Sequence, residues 1–187
     1  MTTAILDRND AAAAAVTSIR MHHSAYVSAD PERTRVFYED IIGLPLSGFW
    51  IENETLGGVV HEFGLALYDL ADGTALSFFH FADPALAAKH AAKKQGLFVH
   101  LALKVDRDGQ EILRQRLAQA SIPVMEFDHG YVRSFYVEDP DGQTIEICVE
   151  PDEAQAIGDA QRAAAHDALR RWQAGDRTVN NLLSRED

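Results

Sequence analysis

The amino-acid sequence predicts an α+β chain in which one structural unit is used twice. Two observations carry this. An order of strand, helix and several strands runs from about residue 18 to 82, restarts at about 97 and ends near 150. The stretches HSAYVSAD (His23 to Asp30) and HLALKVD (His100 to Asp106) fall at the same place in both halves. Each has a histidine two residues before an alanine and just ahead of an acid that opens a helix.

The elements follow in order. Residues 1–17 read as a loose or helical N-terminal arm. SIRMHHSAYVS reads as a strand, closed by Asp30 and Pro31. PERTRVFYEDIIG is an amphipathic helix with Asp30 as N-cap, Pro31 in its first turn and Gly43 as its stop. GGVVHEFGLALYDL and TALSFFHF are two strands joined by the turn Ala71-Asp72-Gly73. A helical connector spans Asp83 to Gly96. In the second half, LFVHLALKV is a strand with Val99, Leu101, Leu103 and Val105 on one face. Asp106 to Ser121 is a helix with Ile112, Leu113 and Leu117 on one side, and PVMEFDHG, YVRSFYVED and TIEICVE are three more strands. After Pro151 a helical extension runs to about Ala174, within a C-terminal segment 151–187.

Composition narrows the function classes. The chain has 187 residues, of which 47% are apolar, enough for one domain with a sizeable core. A net charge of -12 disfavours a nucleic-acid or anionic-membrane partner, because both need a basic patch. One cysteine, Cys148, excludes an intrachain disulfide framework and a multi-thiolate metal site. No apolar run reaches the roughly 18 residues of a membrane span, and the N-terminus does not resemble a secretory signal, so a cytoplasmic protein is expected.

Strand alternation sorts the polar side chains. In TIEICVE, Ile145, Ile147 and Val149 share a face, and Glu146 lies opposite with Thr144 and Cys148. In VRSFYVED, Ser134 and Tyr136 lie opposite Phe135 and Val137. A hairpin symmetric about Asp141 sets Tyr136 directly across from Glu146, with Cβ atoms about 5 Å apart. The repeat places His23 and His100 equivalently. Facing strands can then bring His23, His100 and Glu146 together, and two imidazoles with one carboxylate suffice to hold a divalent metal and leave open positions. His22 competes with His23, and the His-x-Ala match favours His23. His80 ends a strand beside an apolar run, and His90 and His166 lie in helical segments that read as surface. Phe49, Trp50, Phe63, Phe78 and Phe79 are compatible with an aromatic-friendly cavity, although aromatic strand residues more often serve the core.

Three stretches resemble the vicinal oxygen chelate superfamily, which includes glyoxalase I, bleomycin- and fosfomycin-resistance proteins and extradiol dioxygenases. They are MHHSAYVSADPERTRVFYEDIIGLPL, LFVHLALKVD and DPDGQTIEI. The resemblance implies two βαβββ modules, about 18–82 and 97–150, forming a cupped, incomplete barrel around a metal site. His129, Phe135, Tyr136, Asp139, Pro140, Gly142 and Glu146 follow the type I extradiol signature, with Phe127 a departure from it. The position where glyoxalase I-like members keep a fourth glutamate ligand reads as Ser77, and a three-ligand site fits Fe(II) better than a four-ligand Zn or Ni isomerase.

The resemblance therefore implies a non-haem Fe(II) dioxygenase, with Mn(II) as an alternative metal, that cleaves a small aromatic diol with O2. His23, His100 and Glu146 would hold the metal. Tyr136, His129 and His80 would assist the reacting oxygens, and the chain would form a homodimer or higher homo-oligomer. The rival expectations are an isomerase, lyase or thiol transferase of the same fold, and a non-catalytic drug-binding protein.

Overall fold

A computed structural model describes residues 20–91 and 96–180. The arm 1–17, part of the connector and residues 181–187 lie outside the described residues. The first module opens with β1 (His23–Val27) and α1 (Pro31–Arg35), which continues as wide π-helical turns over Val36–Ile42. The Asp30 carboxylate accepts the amides of Glu32 and Arg33, each at 3.0 Å, satisfying two of the donors that a helix start leaves free. The strands β2 (Leu46–Leu56), β3 (Val59–Asp69) and β4 (Ala75–Phe81) follow. They form a four-stranded sheet in the order β1-β4-β3-β2, with β1 parallel to β4.

After α2 (Pro84–His90) the same plan repeats with β5 (Leu101–Lys104), α3 (Arg107–Gln119), β6 (Met125–Asp128), β7 (Arg133–Glu138) and β8 (Thr144–Val149). Their sheet has the order β5-β8-β7-β6, with β5 parallel to β8. α3 starts like α1, with Asp106 accepting the Gly109 amide at 2.7 Å. The fold is thus α+β, two βαβββ modules with no closed barrel, followed by α4 (Ala154–Gln173).

One core holds the modules together. Phe37, Tyr38, Tyr68, Leu76 and Phe78 of the first module join Leu113, Leu117, Phe135, Ile145 and Ile147 of the second. Each fully buried side chain of this size contributes about 1.5–3 kcal/mol. The core lies on the helix-facing side of both sheets, and the opposite face of each, called the cup face below, turns away from it. Polar contacts lock the modules at one end. The buried Tyr38 hydroxyl donates to Asp139 at 2.9 Å, the Ala29 amide donates to Asp141 at 3.1 Å, and Arg33 donates to the Pro140 carbonyl at 3.2 Å. The DPDG turn of the second module therefore caps the β1–α1 junction of the first. Its Gly142, at φ 81, takes the left-handed conformation that closes the turn.

Several local expectations change. β2 is an edge strand that the sequence reading had not assigned. Its Ser47, Gly48, Glu52, Asn53, Glu54 and Thr55 mask any apolar alternation, and its pairing with β3 supplies what propensity lacks. The strand expected from Leu97 begins at Leu101. Leu97–Val99 form a turn, so Val99 is exposed and joins no apolar face. Of the α3 residues, Leu113 and Leu117 are buried while Ile112 is exposed. α4 has the expected extent and buries no residue. The aromatic residues divide between the faces. Phe78 belongs to the core, whereas Phe63 and Phe79 meet edge-to-face at 5.2 Å on the cup side. The Phe49 ring crosses over Gly64, where an added Cβ would meet it at 2.4 Å. No helix among the described residues is long and apolar enough to cross a membrane.

Candidate metal-binding and catalytic site

The cup face of the second sheet carries a connected polar group. The β7–β8 ladder pairs Tyr136 with Glu146, the register expected from the hairpin. Glu146 points away from the core that takes Ile145 and Ile147, and only 6% of its surface is exposed. Its Oε2 lies 2.8 Å from His100 Nε2, and its Oε1 accepts the hydroxyl of the buried Ser134. His100 stands just ahead of β5, with Nδ1 2.6 Å from the Leu97 carbonyl. A carbonyl only accepts, so Nδ1 carries a hydrogen and donates it. Nε2 and Glu146 Oε2 then face each other as two lone-pair atoms that require a proton or a cation between them. With both nitrogens engaged, His100 is arranged as a ligand or ion-pair partner rather than as a free general base.

Tyr136 extends the group outward, its hydroxyl 3.0 Å from His129 Nε2. Burial, and after it the negative charge of Glu146, push the Tyr136 hydroxyl up to about 12, so it stays a neutral donor at physiological pH. The His129 ring is stacked between Phe127 and Tyr131, with centroids 5.9 and 6.0 Å away, which fixes its orientation. Cys148 shares this cup face, and burial followed by the Glu146 charge raises its thiol above the ordinary range.

The other expected residues lie apart. His23 is exposed, with Nδ1 2.7 Å from Nδ1 of His22. Among the described residues no three His, Cys, Asp or Glu side chains converge on one point. The structure thus joins His100 to Glu146, and His23 lies on the corresponding face of the first sheet without contacting them. His80 follows Leu76 and Phe78 on the helix-facing side, where its ring stacks on Phe49 at 6.0 Å. The structure does not bring His80 to the His100–Glu146 group. It is buried, its nitrogens make no well-aligned hydrogen bond, and desolvation lowers its pKa against weaker support from the Ser28 backbone.

The parallel ladders turn the repeat into an internal comparison. Ala25 pairs with Ser77 in the first module as Ala102 pairs with Glu146 in the second. Ser77 therefore occupies the place of Glu146, as the sequence implied, and its hydroxyl is spent on the Ser24 carbonyl at 3.2 Å. The antiparallel ladders extend the match, so that Leu67 corresponds to Tyr136 and Leu65 to Ser134. One sheet offers polar chemistry and the other an apolar wall.

Two of the donors that a divalent first-row cation would need are already brought together here. One imidazole and one shielded carboxylate already face each other, and a second imidazole stands on the neighbouring module. Ser134, which the sequence reading placed on the correct face without assigning it a role, secures the carboxylate. Its position two residues before Tyr136 on an alternating strand was the available signal.

Comparisons with known proteins agree with this architecture. The family model described as the Glyoxalase/Bleomycin resistance protein/Dioxygenase superfamily matches residues 20–147. Among solved structures, the oxidase ChaP-H2 is 19% identical at a TM-score of 0.52, covering 72% of this chain and 95% of its own. A glyoxalase/dioxygenase from Nostoc punctiforme is 21% identical at 0.51, covering 81% and 100%. The trypanothione-dependent glyoxalase I of Leishmania major is 19% identical at 0.52, covering 81% and 99%. A search of curated protein sequences found no match.

Proposed function

The chain belongs to the Glyoxalase/Bleomycin resistance protein/Dioxygenase superfamily, and from that premise we propose that it is a metal-dependent extradiol dioxygenase that opens an aromatic diol with O2. The observation that carries this reading is the array on one sheet face in which His129, Tyr136 and Glu146, three residues of the extradiol signature, are joined by His100. His23, His100 and Glu146 would hold Fe(II), or Mn(II) in its place. That ion, when bound, supplies Lewis acidity toward the diol oxygens and a route for electrons to O2.

The chain's own groups do the rest. Tyr136, held neutral, donates a hydrogen bond to a substrate oxygen. His129, fixed by its stacked neighbours, accepts from or donates to the Tyr136 hydroxyl and so passes a proton between substrate and solvent. Ser77, whose hydroxyl is spent on backbone, adds no competing ligand, and neither do Leu65 and Leu67. A glyoxalase-like isomerase is the second reading, because that activity occurs on the same fold. Ser77 in the place of a fourth carboxylate disfavours it.

The test is oxygen consumption with a panel of catechols after anaerobic loading with Fe(II). Uptake with a yellow ring-opened product, abolished in Glu146→Ala, is the expected result. Absence of uptake with bound iron would reject the dioxygenase, and full activity and metal content in Glu146→Ala would reject the ligand assignment.

A further inference from the structure

We propose that Ser134 is a positioning residue for the metal site, gripping one oxygen of Glu146 so that only the other is offered to the cation. This rests on the reading of Glu146 as a metal ligand. A glutamate has three side-chain torsions, and a free carboxylate on a concave wall could swing away or bind through both oxygens. Here Oε1 receives the Ser134 hydroxyl, and Oε2 is left facing His100 Nε2 at 2.8 Å. Both residues are buried, Ser134 at 5% exposure and Glu146 at 6%, so water does not compete for the bond. A hydrogen bond to a carboxylate in such surroundings is stronger than one between neutral groups. One-oxygen binding on the His100 side is therefore the geometry that Ser134 enforces.

The repeat supplies an internal control. The first module has Leu65 where the second has Ser134, and Ser77 where the second has Glu146. The hydroxyl is present on the sheet with the carboxylate and absent from the sheet without it. A serine serving only strand packing would have no reason to follow the carboxylate. Ser77 is itself a buried cup-face serine whose bond goes to backbone, which makes it the matched comparison.

The test measures Mn(II) binding to the full chain by the electron paramagnetic resonance signal of free Mn(II), with thermal melts of each variant. Outer partners of this kind change metal affinity by about 10–100-fold. Ser134→Ala should weaken binding within that range, and Ser134→Thr, which keeps the hydroxyl, should restore most of it. Ser77→Ala should bind as wild type does even if it melts lower. Should Ser134→Ala not fold, Ser134→Cys, which keeps the volume and donates weakly, takes its place with the same expectation. Wild-type affinity in Ser134→Ala, alongside lost binding in Glu146→Gln, overturns the role of Ser134 and leaves the metal site intact. No Mn(II) binding by the wild type overturns the metal site and this inference together.

Discussion

Replacing Tyr136 with phenylalanine isolates one oxygen atom at the centre of the array. That oxygen is 3.0 Å from His129 Nε2, in a buried position beside Glu146, with its proton held to about pH 12. A group poised to donate or relay a proton in the transition state contributes about 10²–10⁴ in rate. At about 1.36 kcal/mol per decade this is roughly 2.7–5.5 kcal/mol of barrier. The stability cost is smaller. One hydrogen bond is lost, worth about 0.5–1.5 kcal/mol, or about 1–6 °C in melting temperature for a chain of this size. The assay is steady-state O2 consumption by Fe(II)-loaded Tyr136→Phe, with iron content and the melt measured on the same sample. A fall in kcat of two decades or more, with metal content unchanged, is expected. A variant with full metal and unchanged kcat would refute the role of the hydroxyl and reduce Tyr136 to a packing residue.

Three further outcomes follow from individual side chains. Tyr38→Phe leaves Oδ2 of the buried Asp139 without its partner, which costs about 1–3 kcal/mol and should lower the melting temperature by about 2–12 °C; an unchanged melt would show that the contact does not hold the modules together. Burial lowers the His80 pKa, so the unfolded chain binds its proton first as pH falls below about 6.5, and stability is lost from there down to the folded pKa. His80→Phe should flatten that part of a melting-temperature profile, and an unaltered slope would assign the pH dependence elsewhere. Ser77→Glu places a second carboxylate at the position equivalent to Glu146 and should tighten Mn(II) binding while suppressing O2 consumption; looser binding in a folded variant would refute the equivalence of the two positions.

Much of this architecture is legible in the sequence because it rests on local chemistry. Asp30 and Asp106 announce both helices, and the alternation in TIEICVE separates Glu146 from Ile145 and Ile147 without any tertiary information. The symmetric hairpin about Asp141 was enough to pair Tyr136 with Glu146. What escaped depends on contacts between segments distant in the chain. β2 lacks a periodic signal and exists through its partner β3. His80 follows the alternation of Leu76 and Phe78 to the helix-facing side, so parity and not its place at a strand end sets where it points. The turn at Leu97–Val99 interrupts what reads as a continuous apolar strand, and with Phe98 fully in solvent that run is not a core element.

The same ladders give a physical reason for the unequal halves. Had both sheets kept the glutamate, a cation held between the modules would meet two carboxylates, each at a position largely removed from water. Like charges so placed force one of them to take up a proton or the pair to share a cation. With Ser77 in one half, a dication held as proposed by His23, His100 and Glu146 would keep one net positive charge, because only Glu146 would offset it. That residual charge would favour a ligand that binds as an anion, as a diol does once a hydroxyl proton leaves. Tyr136 is suited to the complementary task, since it brings a hydroxyl donor rather than a second carboxylate to the site. Ser77→Glu tests this charge balance directly. By cancelling the residual charge it should weaken binding of an anionic catechol analogue to the metal-loaded protein while holding the metal more tightly, a divergence that a purely steric effect at residue 77 would not produce.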